Sequence, residues 1–507
     1  MLLLTLAISE RPVTFDKSRP STYNIILIRL ILIILFGSDR LERFIGRKEE
    51  LETLEREYEN SNAFVVIYGR RRVGKTTLIK EFIKNKKALY FLATEELENM
   101  EKKRLTRAVA DFTGQDYLKN ASLDNWEDIF KIVAEHNPDQ KKIVVIDEFQ
   151  YLVQVNRSFP SLFQSIWDET LKDKNIMVIL CGSLISLMTT HVLNYSSPLY
   201  GRRTAQIRLK PLRFSEIWDH YPKKEFKNIV DLYALTGGVP KYLDFFINDK
   251  LLAENIRLHV FSKTGYLYEE PLFLLEKEVR ETVTYFSIIK AIATGNHRLQ
   301  KIAAALELKS NTLSPYLKTL IDLDLLEKRV PVTEKMPHKS RKGLYHISDS
   351  FIRFWFTFVY PFKGHLELDN QAQAKKRFEQ HYVDSFLSFV FEEISRDIFL
   401  SLCRKGKINF SPSKIGAYWD KSGENEIDLL VIDESNKQLF FGECKYHDRQ
   451  PLAFKNYASL LEKSKAPPFE DFEHYYILFS VSGFDQRLLE ISSTNRNLFL
   501  VNEGCLL

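Results

Sequence analysis

The chain of 507 residues has only four cysteines, Cys181, Cys403, Cys444 and Cys505, spaced far apart with no CxxC pair. That leaves no disulfide framework and no zinc-ligand spacing, and fits a reducing cytoplasm. Glycine is scarce too, at 19 residues, so a glycine-framed loop is conspicuous wherever it occurs. No uncharged apolar run approaches the roughly 20 residues that span a bilayer. The most apolar segment, Ile25–Phe36, has 12 residues and includes Arg29. It reads as a buried or interfacial helix, so no stable membrane span is expected. Its flanks lack the basic start and small-residue cleavage site of a signal peptide. A further reading has the protein start later, near Leu41, leaving residues 1–40 as an extension of unknown role. Charge of one sign is also modest: a net +5 permits nucleic-acid contact without requiring it. Hydrophobic content of 45% and charged content of 27% are those of a globular chain, long enough for roughly two to four domains.

What is present begins with "AFVVIYGRRRVGKTTLIKEFI". A short β-branched and aromatic strand, Phe64–Tyr68, runs into Gly69-x4-Gly74-Lys75-Thr76 and then a helix. This is the Walker A pattern in its expected setting, strand before and helix after. The glycines let the loop curl so that backbone N–H groups meet the β- and γ-phosphates of ATP. Lys75 adds a point charge, and the helix N-terminus adds its partial positive end. The nucleotide-binding residues expected are Gly69, Arg70, Arg71, Arg72, Val73, Gly74, Lys75, Thr76 and Thr77, with the Thr76 hydroxyl on Mg²⁺.

"KKIVVIDEFQYL" supplies the second half of such a site. Ile143–Ile146 is a continuous apolar run, as expected of a strand covered on both faces of a parallel sheet. Asp147 at its C-terminal end can hold Mg²⁺ through water. Glu148 beside it is placed to orient or deprotonate the attacking water. A third strand, "NIMVILCGS", ends in Ser183, which reads either as a polar sensor of the γ-phosphate or as a helix N-cap before "LISLM".

At this point the chain resembles the archaeal ATPase family in the AAA+/STAND branch of P-loop proteins. The matching residues are "RFIGRKEEL" (Arg43–Leu51), "YGRRRVGKTTLI", "IVVIDEFQYL", "ILCGS", "LYGRRT" (Leu199–Thr204) and "YALTGGVPKYL" (Tyr233–Leu243), in the family's order. The resemblance implies that Phe44–Gly46 lies near the adenine. It offers Arg202 or Arg203 as an arginine reaching a γ-phosphate in its own or a neighbouring subunit of a homo-oligomer. The plainer reading is two solvated arginines on a loop. Gly237, Gly238 and Pro240 look like a helix C-cap followed by a stop, which the family places in a helical lid over the nucleotide.

Further on, "HRLQKIAAALELKSNTLSPYLKTLIDLDLLEKRVPV" (His297–Val332) spaces Ile302, Leu306, Leu313, Leu317 and Leu320 around a polar turn and then gives a strand. It resembles a winged helix-turn-helix, with a basic wing carrying Lys335, Lys339, Arg341 and Lys342. The module either contacts DNA or serves as a rigid relay between ATPase and effector. The aromatic stretch Ser348–Phe362 reads as buried packing.

In the last segment, "IDLLVIDESNKQLFFGECKY" (Ile427–Tyr446) places Asp428, Glu443 and Lys445 in otherwise apolar strands, where an unpaired charge costs several kcal/mol. Glu443 and Lys445 are two apart and share a strand face. The arrangement resembles the D…ExK signature of the restriction-endonuclease-like fold, with "EID" where that pattern has Pro-Asp. It implies that Asp428 and Glu443 hold Mg²⁺ or Mn²⁺, with Lys445 positioning a water on a DNA or RNA phosphodiester. Glu392 or Glu393 on the preceding helix is a further acid. Without the metal the two acids should repel each other. The bland reading is an ion triad that serves structure alone.

The expected fold is therefore α/β: a P-loop ATPase domain with a parallel sheet and helical lid (41–280), a winged helix-turn-helix (281–362) and a small α/β nuclease-like domain (375–507). The expected function is a Mg²⁺-dependent ATPase switch coupled to a nuclease-like domain. The alternative is a regulatory STAND-type ATPase whose C-terminal domain binds nucleic acid or protein without catalysis.

Overall fold

A computed structural model describes residues 44–507, except 122, 248–249, 341, 421–424, 448–449 and 468–470. The apolar segment Ile25–Phe36 and the alternative start near Leu41 lie outside the described residues. Among the described residues, no helix is long and apolar enough to cross a membrane. Residues 45–507 form one compact unit.

Its first half is built on five parallel strands: β1 (Ala63–Tyr68), β2 (Ala88–Leu92), β3 (Lys142–Asp147), β4 (Ile176–Gly182) and β5 (Ala205–Arg208). Their order across the sheet is β2-β3-β4-β1-β5. The three central strands are the Val/Ile-rich runs, buried on both faces, whereas the edge strands alternate buried with exposed positions. Phe64, Val66, Val144, Ile146, Val178 and Leu180 form one apolar layer with helix residues that include Val109, Trp126, Phe130 and Phe163. β4 lies between β1 and β3. The C-terminal ends of β1, β3 and β4 therefore open side by side, where open parallel sheets bind ligands.

A set of helices follows, Phe214–His220, Phe226–Thr236, Pro240–Phe246, Leu252–His259 and Glu270–Glu278. Gly237, at φ 57°, caps the second of them, because a side chain would be strained in that left-handed conformation. Pro240 is the first residue of the next helix and so starts one as well as stopping one. Next come the helices Thr282–Ala293, Leu299–Ala305 and Ser310–Asp322, and an antiparallel pair, β6 (Leu326–Arg329) with β7 (Leu344–Ile347). The helix Ser350–Phe358 buries Phe351, Phe354, Trp355 and Phe358, so the aromatic stretch is core.

Lys375, where the composition suggests a new domain, lies inside the helix Ala372–Tyr382. The apolar cluster also runs without a break from Leu235 and Tyr242 through Leu317, Phe351 and Trp355 to Phe399, Phe440 and Val501. A second sheet, of order β13-β12-β11-β10-β9-β8, closes the chain. Its strands are β8 (Lys414–Trp419), β9 (Glu426–Asp433), β10 (Gln438–Lys445), β11 (Glu473–Ser480), β12 (Leu498–Asn502) and β13 (Cys505–Leu506). β8, β9 and β10 pair antiparallel; β10, β11 and β12 pair parallel.

Candidate functional sites

The loop after β1 turns at Gly69 and Gly74 into the helix Lys75–Ile83. A Cβ on Gly69 would stand 2.2 Å from the Leu209 carbonyl oxygen, so the end of β5 requires glycine there. Lys75 is buried, and its ammonium donates to the carbonyls of Gly69 (2.9 Å) and Arg70 (3.0 Å). The Thr76 hydroxyl donates to Asp147 Oδ2 at 2.7 Å. A hydroxyl and a carboxylate in contact form an oxygen-only donor pair that fits the hard cation Mg²⁺. Tyr90, on β2, donates to the same Asp147 oxygen at 2.7 Å. Burial first and then the Asp147 carboxylate push the Tyr90 phenol well up, so it stays a donor.

Glu148, the residue after β3, sits at φ 57°, a left-handed conformation that glutamate rarely adopts. Its carboxylate is held twice at Oε2, by the Ser183 hydroxyl at 2.6 Å and by the Gln150 side-chain amide. Ser183 does not cap the helix that follows: Ile185–Met188 starts from Leu184, and the Ser183 hydroxyl points back to Glu148. Neither Tyr90 nor Gln150 was flagged by sequence reasoning. Tyr90 lies on β2 and Gln150 opens the helix Gln150–Val155, and a polar side chain amid apolar neighbours was the available signal for each.

The three loop arginines contribute backbone to the cradle while their side chains reach other partners. Arg70 pairs with Asp349, Arg71 donates to the Tyr151 hydroxyl (2.9 Å), and Arg72 pairs with Glu270 beneath the Tyr266 ring. Arg47 joins the loop from upstream, donating to the Val73 carbonyl (2.8 Å) and the Lys210 carbonyl (2.7 Å). Glu278 lies beside this loop. Burial first and then Glu148 raise its carboxyl to about 7, against the pull of Arg71, Lys75 and Arg70.

Arg202 and Arg203 are not near this chain's own phosphate loop. They precede Ala205, which pairs with Val65, so they lie at the N-terminal edge of a sheet whose loop leaves the C-terminal edge. About four residues of strand, roughly 13 Å, separate the two edges. Arg202 pairs with Asp168 at 2.9 Å, and Arg203 donates to the Leu193 carbonyl and stacks over Tyr200. Within its own chain, then, neither arginine meets the phosphate loop, and both side chains are held by neighbours on their own side of the sheet.

The C-terminal triplet does come together. The β9–β10 ladder runs to Leu429 opposite Gly442, so Asp428 and Glu443 are the next positions beyond its end. Lys445 stands between them, 3.3 Å from Asp428 Oδ2 and 2.9 Å from Glu443 Oε1. Burial opposes the Lys445 charge, but the two carboxylates outweigh it and hold the ammonium above its ordinary range. The expected repulsion between the two acids is therefore answered by the lysine already in place. Asp428 Oδ2 also accepts from the Cys444 N–H at 2.9 Å. Glu443 Oε2 is buried and takes no hydrogen bond, and Lys463 is 3.9 Å from it. An orphaned carboxylate oxygen beside a second acid fits a hard cation. Among the described residues, however, no group of three or more His, Cys, Asp or Glu is gathered as a metal cluster. Glu392, on the helix Ser388–Arg404, is the acid that faces this end. Burial first and then Asp428 raise it to about 8, while Arg329 opposes. Its neighbour Glu393 is instead taken by Arg329 at 2.6 Å.

A buried lysine at a helix N-terminus, beside a hydroxyl and a carboxylate that can share a cation, is how P-loop ATPases grip a triphosphate, and this chain is a P-loop ATPase. The model of an ATPase domain predominantly from Archaea matches residues 44–246, and a model of archaeal and bacterial proteins of unknown function matches residues 355–459. The uncharacterized protein MJECL04 of Methanocaldococcus jannaschii is 36% identical over 440 residues, 86% of this chain and 95% of the relative. The uncharacterized ATP-binding protein MJ0423 of the same organism is 62% identical over 45 residues, 9% of this chain and 76% of that protein. Among solved structures, the Walker-type ATPase PABY2304 of Pyrococcus abyssi is 20% identical, with a TM-score of 0.49, covering 62% of this chain and 97% of its own. The ORC2 protein of Aeropyrum pernix is 15% identical, with a TM-score of 0.43, covering 66% and 98%. Matched along nearly the whole of its 36%-identical relative, the chain belongs to this archaeal ATPase family.

Proposed function

We propose that Mg²⁺-dependent ATP binding and hydrolysis act as a switch for the C-terminal half, which acts on nucleic acid as a metal-dependent nuclease-like domain. In the first site, residues 69–77 hold the phosphates, with Lys75 as the charge nearest the γ-phosphate. Thr76 and Asp147 would hold Mg²⁺, which when bound neutralises phosphate charge. Glu148 takes a proton from the attacking water, and Ser183 with Gln150 keeps its carboxylate aimed. The helix Ser310–Asp322 exposes Asn311, Thr312, Ser314 and Lys318, and the β6–β7 hairpin exposes Lys335 and Lys339. These suit a winged helix-turn-helix on a DNA backbone, although Lys342 is neutralised by Glu334 at 2.6 Å. Arg202 or Arg203 could act only on a neighbouring subunit of a homo-oligomer.

The nuclease reading is carried by one observation: Asp428, Glu443 and Lys445 meet at one end of the β9–β10 ladder with Glu392 facing them. Asp428 and Glu443 would hold Mg²⁺ or Mn²⁺, which would polarise the phosphodiester, and Lys445 would position water. The full chain should nick supercoiled plasmid DNA with Mg²⁺ or Mn²⁺, and Asp428→Ala should lose that activity. No nicking of plasmid DNA and no cleavage of RNA by the wild type would sink it. A second reading, a regulatory ATPase with a non-catalytic C-terminal module, is favoured by the commitment of Asp428 to Cys444 and Lys445. In that case DNA or RNA changes ATP turnover without being cut.

A further inference from the structure

The phosphate loop is tied to a residue far outside the ATPase sheet. Arg70 and Asp349 are 279 positions apart and form an ion pair with side chains only 4% and 0% exposed. The carbonyl of the same Arg70 accepts from the Lys75 ammonium at 3.0 Å. What Asp349 does to Arg70 is therefore done to the residue that seats the phosphate-binding lysine. The Asp349 carboxylate has two jobs. Oδ2 meets Arg70, and Oδ1 accepts from the Ile352 N–H at 2.7 Å, capping the helix Ser350–Phe358. Ser350 fastens the start of that helix to the Ala234 carbonyl at 2.6 Å, in the helix Phe226–Thr236. One turn along, Arg353 shares Glu393 with Arg329, at 3.5 and 2.6 Å. Arg329 is also 4.0 Å from Glu392.

We propose that Asp349 is a positioning residue for ATP binding. Through Arg70 it holds the phosphate loop in its receiving shape, and through the helix Ser350–Phe358 it links loop occupancy to the C-terminal half. The second clause deepens the switch reading and rests on it; the first rests on ATP binding alone. A buried guanidinium without its carboxylate is strongly disfavoured. Without Asp349 the loop would leave the receiving shape for part of the time, and apparent affinity falls by that fraction. Linkage is reciprocal, so a nucleotide that selects this loop shape must in turn stabilise the pair and the helix it caps.

Asp349→Asn separates the two jobs, because asparagine is itself a good N-cap and keeps an acceptor for Ile352 while losing the charge facing Arg70. In the full chain, equilibrium binding of Mg·ATP should weaken at least fivefold. Arg70→Gln should weaken it comparably, and the double variant should bind no worse than the weaker single one, since both remove the same interaction. Variants that melt lower yet bind Mg·ATP with wild-type affinity would reduce the pair to a structural contact and overturn the proposal. A measurement on the wild type does not depend on any variant folding. Amide hydrogen exchange across residues 349–358 should slow severalfold on adding Mg·ATP, and unchanged exchange there would also overturn it. Neither readout uses nucleic-acid cleavage, so failure of the nuclease reading leaves this test intact.

Discussion

Glu148→Gln probes the reaction with the least disturbance of shape. Both hydrogen bonds to Glu148, from Ser183 and from Gln150, end on one carboxylate oxygen, Oε2. A glutamine carbonyl oxygen in that position accepts both, so the side chain keeps its place and its φ of 57°. What disappears is the group that takes the proton. General-base catalysis is worth about 10²- to 10⁴-fold, or roughly 2.7 to 5.4 kcal/mol of barrier at about 1.36 kcal/mol per decade. The prediction is a fall in single-turnover phosphate release of that size, with the Kd for Mg·ATP within about twofold of wild type. Ser183→Ala removes one charge-assisted hydrogen bond of about 1.5–3 kcal/mol. Only part of that loss is felt in the transition state, so the rate should fall less than in Glu148→Gln. Equal release rates in wild type and Glu148→Gln would refute the assignment of the base and the role given to Ser183.

Tyr90→Phe removes one of the two donors on Asp147 Oδ2, and the Mg²⁺ concentration for half-maximal turnover should rise severalfold. An unchanged Mg²⁺ titration would remove Tyr90 from the site. Asp231 makes a pH prediction: burial raises its carboxyl to about 6, although Tyr382 donates to it at 2.8 Å. A carboxyl raised above its unfolded value of about 3.9 favours the folded state while protonated, so this contribution is lost as pH climbs from about 4 through 6. Asp231→Asn keeps an acceptor for Tyr382 and should melt higher than wild type at pH 7–8, by at most about 3 kcal/mol, with the difference gone near pH 4. A variant that melts lower at pH 8 would contradict the burial cost.

The phosphate loop was legible in the sequence because its chemistry is local. Gly69 to Thr76 are consecutive, and what they do follows from backbone freedom at two glycines and the N-terminus of the next helix. The buried strands were legible for a similar reason, since runs such as Ile143–Ile146 have no polar face to give to water. The convergence of Asp428, Glu443 and Lys445 could be anticipated because spacing two along a strand and a hairpin to its neighbour bring them together.

Partner choice was decided only by the tertiary structure. With 72 basic and 67 acidic residues, any arginine has many sequence-compatible acids, and only the folded chain selects Asp349 for Arg70 or Glu216 for the backbone of Arg47. The same holds for Arg202 and Arg203, which the family resemblance offered to a γ-phosphate in this or a neighbouring subunit and which strand direction puts at the opposite edge of this chain's own sheet. A motif read along the chain records which groups are available. Whether they meet depends on strand order, register and burial, which are set by contacts between residues tens to hundreds of positions apart.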